Sequence, residues 1–305
     1  MRYSQVVSAR TSETVQVPDT RPAPGHIAVR TLVSGICASE LPAWTGHDAA
    51  APPLRLGHEL TGEIVALGPG VYGWTVGERV TGFASGAYAE VVHVPATALL
   101  PLPANVSAAT FLGEPVACVV EALSRCGLRP GLRVAVVGLG FMGLIAVQAA
   151  AAYAPSLLLG VDPLEHAREL AGHLGAHAVC QPDDTEPAAF DVVIEFTGTS
   201  AGLRTAGRLV AEHGTLCVGG YHHSGERTWD VELWYRGVTV VHGFTPQRHR
   251  HLAALREGLR LASERVLTLE PLLTHDVTLD EVDTGFGLLV DRPGGFVKCV
   301  IRAAL

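Results

Sequence analysis

The stretch VAVVGLGFMG, residues 134–143, decides the fold of this chain. Its apolar start has the composition of a buried strand, and Gly138, Gly140 and Gly143 follow in the spacing G-x-G-x-x-G before a helix-forming segment. The next apolar run ends at Asp162, 19 residues after Gly143. A strand, a glycine-rich turn, a helix and a second strand that ends in an acid are typical of the βαβ unit that binds a dinucleotide. A glycine-rich turn in an unrelated α/β domain is the alternative.

The residues of this unit predict which dinucleotide it binds. Gly140 lets the backbone approach a pyrophosphate at the positive end of the helix dipole. The carboxylate of Asp162 would accept hydrogen bonds from ribose hydroxyls and repel a 2′-phosphate, whereas Arg168 slightly weakens that preference. We therefore predict NAD as the cofactor and consider NADP less favoured. Further candidate cofactor contacts are Phe141 and Met142 in the turn, with Thr197 and Gly220 after later strands.

Apolar runs separated by helical segments continue after this unit. They are DVVIEFTG (191–198), GTLCVGG (214–220) and GVTVVHGF (237–244). Continuous Val, Ile and Leu strands between helices indicate a doubly wound, parallel sheet. Residues 1 to about 110 instead alternate short apolar runs with Gly/Pro turns, which is typical of a β-rich region. We therefore predict an α/β protein with a Rossmann NAD-binding domain over 116–245 and a β-rich domain over 1–115 and 246–305.

Composition limits the classes of partner. Of the 305 residues, 48% are hydrophobic and 17% charged, and the net charge is -8 without a basic stripe, so we expect neither nucleic acid nor membrane as a partner. The 22 basic residues include one lysine, Lys298, which we interpret as compositional bias in an arginine-rich chain. Residues 134–161 carry no formal charge and could span a bilayer. Their glycines and Pro155 instead divide this run into strand, helix and strand.

The cysteine pattern bears on the cellular compartment. Six cysteines are spread along the chain, and no two form a C-x-x-C pair. This spacing gives no disulfide framework and fits a reducing compartment. The segment MRYSQVVSAR at residues 1–10 lacks the apolar stretch of a signal peptide. We therefore expect a cytoplasmic protein.

Four residues in three distant segments are candidate metal ligands. Cys37 lies in GICASELPAWTGH, His58 and Glu59 lie side by side in LGHELTG, and Glu114 lies in FLGEPVACVV. Thiolate, imidazole and carboxylate are the groups that bind zinc. Each residue also has an ordinary alternative, because a single cysteine is often a core thiol, a histidine a structural residue and an acid a helix-start residue. The residues alone leave these alternatives open.

Taken together and in order, the motifs resemble the medium-chain, zinc-dependent alcohol and polyol dehydrogenases. The matching elements are GICASEL for the family's GICGSDL, GHELTGEIVALGPGV, GERV, GAYAEVV, GEPVACVVEAL and the glycine-rich turn. The resemblance covers essentially the whole chain and implies a GroES-like catalytic domain beside the Rossmann domain. It further implies that Cys37, His58 and Glu114 hold one catalytic Zn²⁺, and that the neighbouring Glu59 can enter its coordination shell. A carboxylate rather than a second cysteine at Glu114 is similar to the polyol dehydrogenases.

The resemblance also implies a proton pathway, and here the chain departs from the family pattern. Ser39 matches the hydroxyl beside the substrate oxygen, which is the first step of the relay. Many members then have a histidine where this chain has Pro42, and proline cannot carry a proton. We name His47, on the same loop, and His222, after a predicted strand, as candidate replacements. Water that reaches Ser39 directly is the alternative.

A second departure concerns zinc. Family members commonly hold a structural zinc with four closely spaced cysteines, but no cysteine lies between Cys37 and Cys118. We therefore expect one catalytic zinc and no structural zinc. Trp44, on the loop after Cys37, could line the substrate pocket or anchor the loop.

These observations predict an oxidoreductase that transfers a hydride between NAD(H) and a secondary alcohol or ketone, such as a polyol, cyclitol or sugar-like compound. A zinc-free reductase of the quinone or enoyl type is one alternative, and a catalytically silent dinucleotide-binding or structural protein is the other.

The apolar run GVTVVHGF would be the last strand of the sheet. An uncovered apolar edge strand commonly pairs with a second copy, so we expect a homodimer or homotetramer.

Overall fold

A computed structural model of the protein describes residues 1–47, 50–223 and 225–303. The strands are β1 (Arg2–Ser8), β2 (Thr11–Gln16), β3 (His26–Gly35), β4 (Glu59–Leu67), β5 (Arg79–Phe83), β6 (Val91–Pro95), β7 (Leu99–Pro101), β8 (Arg133–Val137), β9 (Leu157–Val161), β10 (Ala178–Cys180), β11 (Phe190–Glu195), β12 (Val210–Val218), β13 (Thr239–His242), β14 (Leu273–Val277) and β15 (Lys298–Ile301). The helices are α1 (Leu41–Thr45), α2 (Gly113–Ser124), α3 (Phe141–Ala151), α4 (Glu165–His173), α5 (Ser200–Leu209), α6 (Glu232–Tyr235), α7 (Arg248–Ser263) and α8 (Val282–Asp291). Single 3-10 turns lie at Ala38–Glu40, Ala96–Ala98, Pro182–Asp184, Glu270–Leu272 and Leu279–Glu281.

The chain divides into two compact units. The first unit comprises Met1–Pro115 and Thr268–Leu305, of which residues 304 and 305 lie outside the described part. The second unit comprises Val116–Leu267. The division therefore falls within helix α2, after its first turn.

The second unit is built on a six-stranded parallel sheet with the order β10-β9-β8-β11-β12-β13. This is the strand order of a Rossmann sheet, whose order reverses between β8 and β11. The strands are almost continuously apolar because helices α3, α4 and α5 pack on the sheet. The glycine-rich turn joins β8 to α3, and its tight geometry needs glycine. Gly138 has a φ of +92°, and a Cβ on Gly143 would lie 1.8 Å from the Gly138 carbonyl oxygen.

The first unit is built on a mostly antiparallel sheet with β3 at its centre. The order is β14-β15-β3-β4-β5-β7, and β6 also pairs with β3. β3 and β4 are in register with Gly35 opposite Glu59, so the last residue of one strand faces the first residue of the other. The carboxyl-terminal strand β15 lies on the other side of β3 and places Val300 opposite Gly35. Three segments far apart in sequence thus meet at one end of β3.

The fold class predicted from the sequence is confirmed: a doubly wound parallel sheet accompanies a β-rich unit. The uncharged run 134–161 forms β8, α3 and β9, and none of the helices in the described residues is long and apolar enough to cross a membrane.

One boundary differs from the prediction that residues 246–305 belong to the same domain as residues 1–115. Helix α7 instead packs within the second unit, because Gly258 lies directly on Val116 and Arg250 pairs at 2.6 Å with the buried Glu121. The amphipathic pattern of α7 predicts a helix but does not say which core it covers.

Candidate active site

Three of the four predicted metal ligands lie together in the first unit. Cys37 follows β3 directly, and His58 and Glu59 stand at the start of β4. One ligand atom of each residue lies within 4.8 Å of the others. Zinc bonds of about 2.0 to 2.3 Å place ligand atoms about 3 to 4 Å apart, so a small adjustment of these side chains would hold the ion. The pairing of β3 with β4 is what brings the sulfur, imidazole and carboxylate together.

Two glycines create the space for this cluster. Gly57 has a φ of +101°, and a Cβ there would lie 2.6 Å from the backbone nitrogen of Tyr88. Gly35 lies opposite Glu59, and a Cβ there would lie 1.8 Å from Glu59 Oε2 and 2.8 Å from Lys298 Cε. The glycine of the GIC motif therefore leaves room for a buried carboxylate.

His58 is oriented by a carboxylate that the sequence analysis did not identify. Glu40 Oε1 lies 3.1 Å from His58 Nδ1 and accepts a hydrogen bond of 2.6 Å from the Gly57 amide. The hydroxyl of the buried Tyr88 donates to Glu40 Oε2. With Nδ1 engaged, Nε2 is the nitrogen of His58 that remains to bind a metal.

The same contacts set the charge of these groups. Burial lowers the pKa of His58, but hydrogen bonds with Cys37 and Glu40 outweigh it and raise that pKa to about 12. Burial likewise raises the pKa of Glu40, yet the contacts with His58, Tyr88 and Gly57 outweigh it and lower that pKa. These contacts with a sulfur and a carboxylate therefore favour the protonated form of His58. A metal ion bound at Nε2 would replace that proton.

Only one of the two carboxylate oxygens of Glu59 has a hydrogen-bond partner among the described residues. Its Oε1 accepts a hydrogen bond of 2.7 Å from Lys298 Nζ, and both side chains are buried. Among the described residues, Glu59 Oε2 has no hydrogen-bond partner. A buried carboxylate oxygen without a partner is costly, and the Glu59 carboxylate belongs to the cluster with Cys37 and His58. This oxygen supports the fit of a metal ion, which would give it a partner.

Lys298 is the one lysine of the chain, and the structure corrects our interpretation of it as compositional bias. Burial lowers the pKa of Lys298, but the negative charges of Glu59, Cys37 and Glu114 outweigh it and raise that pKa. Lys298 is therefore charged and compensates several acids at once.

The fourth predicted ligand, Glu114, lies in the first turn of α2 and is half-buried. It does not belong to the group of ligand atoms within 4.8 Å, although its charge acts on Lys298. The start of α2 is fixed by Thr81, whose Oγ1 accepts a hydrogen bond of 3.0 Å from the Gly113 amide. The role of Glu114 as a ligand stays a prediction.

Ser39 and His47, two of the predicted proton carriers, lie on the loop after β3. The Ser39 hydroxyl donates to Cys37 Sγ at 3.2 Å, so it lies beside the candidate metal ligand. His47 is exposed, and its Nδ1 lies 2.8 Å from Thr45 Oγ1. Trp44 is buried, stacks on Phe286 with ring centroids 5.1 Å apart, and therefore anchors the loop rather than lining a pocket.

The predicted dinucleotide residues lie at one edge of the second unit's sheet. The carboxylate of Asp162 accepts hydrogen bonds from the backbone amides of Leu139 (2.8 Å) and Leu164 (2.9 Å), and a lone pair on each oxygen remains for a ribose hydroxyl. Arg168 donates to the Asp162 and Pro163 carbonyl oxygens. A Cβ built on Gly140 would meet no described atom within 4 Å, so open space lies beside the turn where a pyrophosphate fits.

The remaining predicted cofactor residues lie around the same turn. Phe141 and Met142 open helix α3, and Thr197 packs against Gly138. Gly220 donates its amide to the Glu195 carbonyl oxygen. His222 Nε2 lies 2.9 Å from Glu195 Oε2, and Arg227 Nε donates to His222 Nδ1 at 2.9 Å. His222 therefore belongs to a hydrogen-bond network, and its role as a proton carrier stays a prediction.

We expect the substitution Lys298→Met to destabilise the protein. It leaves Glu59 buried beside Cys37 without its cation, which costs about 3 to 5 kcal/mol of unfolding free energy. The matched control is Arg30→Met, because Arg30 on β3 pairs with Glu63 at 2.7 Å in a partly exposed position and should cost about 1 kcal/mol or less. Thermal and urea unfolding of both variants test this expectation. Equal losses in both variants would contradict a special role for the buried pair.

Family models match both units. The model of the GroES-like domain of alcohol dehydrogenases matches residues 23–104, and that of the zinc-binding dehydrogenases matches residues 141–261.

Individual proteins match nearly the whole chain. A sorbitol dehydrogenase of Halalkalibacterium halodurans is 25% identical over 93% of this chain and 93% of its own. An (R,R)-butanediol dehydrogenase of Bacillus subtilis is 25% identical over 95% of both. The solved structure of a thermostable alcohol dehydrogenase from Pyrobaculum aerophilum shares the fold with a TM-score of 0.87, 24% identity and 99% coverage of both chains. The chain therefore belongs to the medium-chain dehydrogenase/reductase superfamily, in its zinc-type alcohol and polyol dehydrogenase branch, and is an oxidoreductase of that family.

Proposed function

We propose that this protein is a zinc- and NAD-dependent dehydrogenase that interconverts a secondary alcohol and its ketone, with a polyol, cyclitol or sugar-like compound as substrate. The observation that carries the proposal is the convergence of Cys37, His58 and Glu59 in one cluster, in which Glu59 is buried and has one oxygen without a hydrogen-bond partner among the described residues. The relatives named for sorbitol and butanediol support a substrate with neighbouring hydroxyl groups.

The chain's own residues prepare the site for a divalent cation. When bound, zinc supplies a Lewis acid that stabilises negative charge on an alcohol oxygen. Cys37 and Glu114 would contribute two negative charges, and His58 would bind as a neutral imidazole held in place by Glu40. Lys298 binds one Glu59 oxygen, while the other has no hydrogen-bond partner among the described residues. One position can then remain open for the substrate.

Ser39 is the residue that would receive the proton of the substrate hydroxyl. Its hydroxyl lies 3.2 Å from Cys37 Sγ and can rotate, since it donates there only a weak hydrogen bond. Pro42 cannot take the proton further. His47, five residues beyond on the same loop, or a water molecule would pass it to solvent.

The second unit would bind NAD, which supplies the hydride acceptor. The Gly138–Gly143 turn gives access to the pyrophosphate, and the Asp162 carboxylate would bind the adenosine ribose. The zinc-free reductase is the less favoured alternative, because it does not account for the polar atoms gathered around Cys37. A silent dinucleotide-binding protein is less favoured for the same reason.

We expect the purified protein to hold one zinc per chain and to reduce NAD with one or more secondary alcohols. Cys37→Ser should lose the zinc and lower turnover by about 10³ or more, because Lewis-acid stabilisation is worth several kcal/mol. Cys180→Ser is the control, since Cys180 ends strand β10 in the other unit and should keep both properties. Metal analysis and alcohol-dependent NADH formation provide the measurements. Full turnover in the metal-free protein would instead support a zinc-free reductase.

We expect kcat/KM for NAD to exceed that for NADP by about tenfold or more. Asp162→Asn removes the charge that repels a 2′-phosphate, so this ratio should fall by about tenfold, while the side-chain oxygen can still accept one backbone amide. Asp183→Asn, in an exposed 3-10 turn, is the control. Initial rates with both cofactors decide the outcome, and a wild-type preference for NADP would overturn the assignment of Asp162.

We also propose that β13 pairs with its copy in a dimer. This strand is the outer strand of the second unit's sheet and is mostly exposed, and the exposed side chains of Trp234, Tyr235 and Phe244 lie near it in sequence. An open apolar edge of this kind is a liability unless another strand covers it.

Val240→Lys should convert the dimer into a monomer. The matched control is Val179→Lys, because Val179 lies on β10 at the opposite edge of the same sheet and both side chains are 38% exposed. Sedimentation equilibrium measures the mass of each variant. Loss of the dimer in both variants, or in neither, would contradict pairing through β13.

A further inference from the structure

The carboxylate of Glu195 lies where the order of the second unit's sheet reverses. Glu195 is the last residue of β11, and it pairs with Val137, the last residue of β8, and with Val218, the last of β12. Ligands of open α/β sheets bind outside the carboxyl ends of the strands at this reversal. Glu195 is fully buried, and a buried charge is costly unless several hydrogen bonds compensate it.

The carboxylate is compensated by the turn that follows β11 and by a histidine. Oε1 accepts hydrogen bonds from the Thr197 amide (2.6 Å), the Gly198 amide (2.8 Å) and the Thr197 hydroxyl (2.5 Å). Oε2 lies 2.9 Å from His222 Nε2. Four polar groups from two loops thus converge on one side chain.

The hydrogen bonds determine the tautomer of the neutral His222 ring. Arg227 Nε can only donate, so His222 Nδ1 must accept its hydrogen bond and carries no proton. The proton of the neutral ring is then on Nε2, which donates to Glu195. Both ring nitrogens are engaged, which leaves His222 poorly suited to move a proton to or from a substrate.

The same network joins three turns at the proposed cofactor site. Thr197 lies against the first glycine of the glycine-rich turn, where a Cβ on Gly138 would be 2.7 Å from Thr197 Cγ2. Gly198, with a φ of +67°, lies against the Tyr221 carbonyl oxygen, and Gly220 donates its amide to the Glu195 carbonyl oxygen at 2.8 Å. A displacement of Glu195 would therefore move all three turns.

We infer that Glu195, His222 and Arg227 form a positioning network for the dinucleotide, in which His222 holds Glu195 and Glu195 holds the turns that contact the cofactor. This inference rests on the proposed function only for the identity of the ligand as a nicotinamide dinucleotide. In this inference His222 has a positioning role in place of the proton-transfer role predicted from the sequence.

Two substitutions of His222 separate positioning from proton transfer. In His222→Gln the side-chain amide can still donate to Glu195 and its oxygen can accept from Arg227, but it cannot carry a proton. In His222→Phe both hydrogen bonds are lost. We expect His222→Phe to raise the Kd for NADH by about tenfold or more, and His222→Gln to restore it to within about threefold of the wild type. The pH profile of kcat should be unchanged in His222→Gln.

The Kd is measured by NADH fluorescence in the zinc-loaded protein without substrate. His223→Phe is the matched control, because His223 is exposed and stacks on Tyr221 beside the network, and it should leave the Kd unchanged. Unchanged NADH binding in His222→Phe would overturn the inference. So would a His222→Gln variant that binds NADH normally but loses kcat and an ionisation from its pH profile.

A further variant keeps the test valid if His222→Phe fails to fold. Arg227→Leu removes the outermost member of the network from a half-buried position and should raise the Kd for NADH several-fold. If Arg227→Leu binds NADH with the same Kd as the wild type, the positioning role of the network is contradicted. If the assignment of a nicotinamide dinucleotide as the ligand is wrong, the result is different, since the wild-type protein itself would then bind no NADH.

Discussion

The buried ion pair between Glu59 and Lys298 is the interaction on which the candidate metal centre depends. It joins the start of β4 to the start of β15 across the end of β3, where Gly35 leaves the necessary space. The buried Glu59 and the half-buried Cys37 and Glu114 cannot all carry negative charge without compensation. Lys298 supplies one positive charge permanently, and a divalent ion would supply the rest. The Glu59–Lys298 pair therefore constrains both the net charge and the geometry of the candidate metal centre.

Much of the fold could be predicted from the sequence because its signals are local. The glycine-rich turn, the acid at Asp162 and the apolar strands each lie within short segments, and they predict the parallel sheet correctly. That Cys37 and His58 lie near a common point is implied only by the family resemblance of the GIC and GHE motifs, because the residues alone leave other roles open. Local patterns of this kind depend only on residues close together in the sequence, so they can be recognised without knowledge of the tertiary contacts.

The parts that the sequence did not predict all depend on contacts between distant segments. Lys298 and Glu59 are 239 residues apart, and a single lysine in an arginine-rich chain gives no pattern to detect. Glu40 lies only three residues after Cys37, but nothing local says that its side chain turns towards His58. Helix α7 has a clear amphipathic pattern that does not identify the core it covers. His222 could be found as a polar residue after a strand, whereas its partners Glu195 and Arg227 could not.

Glu59 and Glu195 show how hydrogen-bond satisfaction distinguishes two uses of a buried carboxylate. Both lie at strand ends beside glycines, and both are almost completely buried. Each oxygen of Glu195 accepts hydrogen bonds from the protein. The carboxylate therefore holds the backbone turns in place and has little remaining capacity to bind a ligand. Glu59 has a cation on one oxygen and no partner for the other within the described residues. A buried oxygen without a hydrogen-bond partner destabilises the protein unless a ligand binds it. This difference favours metal binding at Glu59 and a positioning role for Glu195.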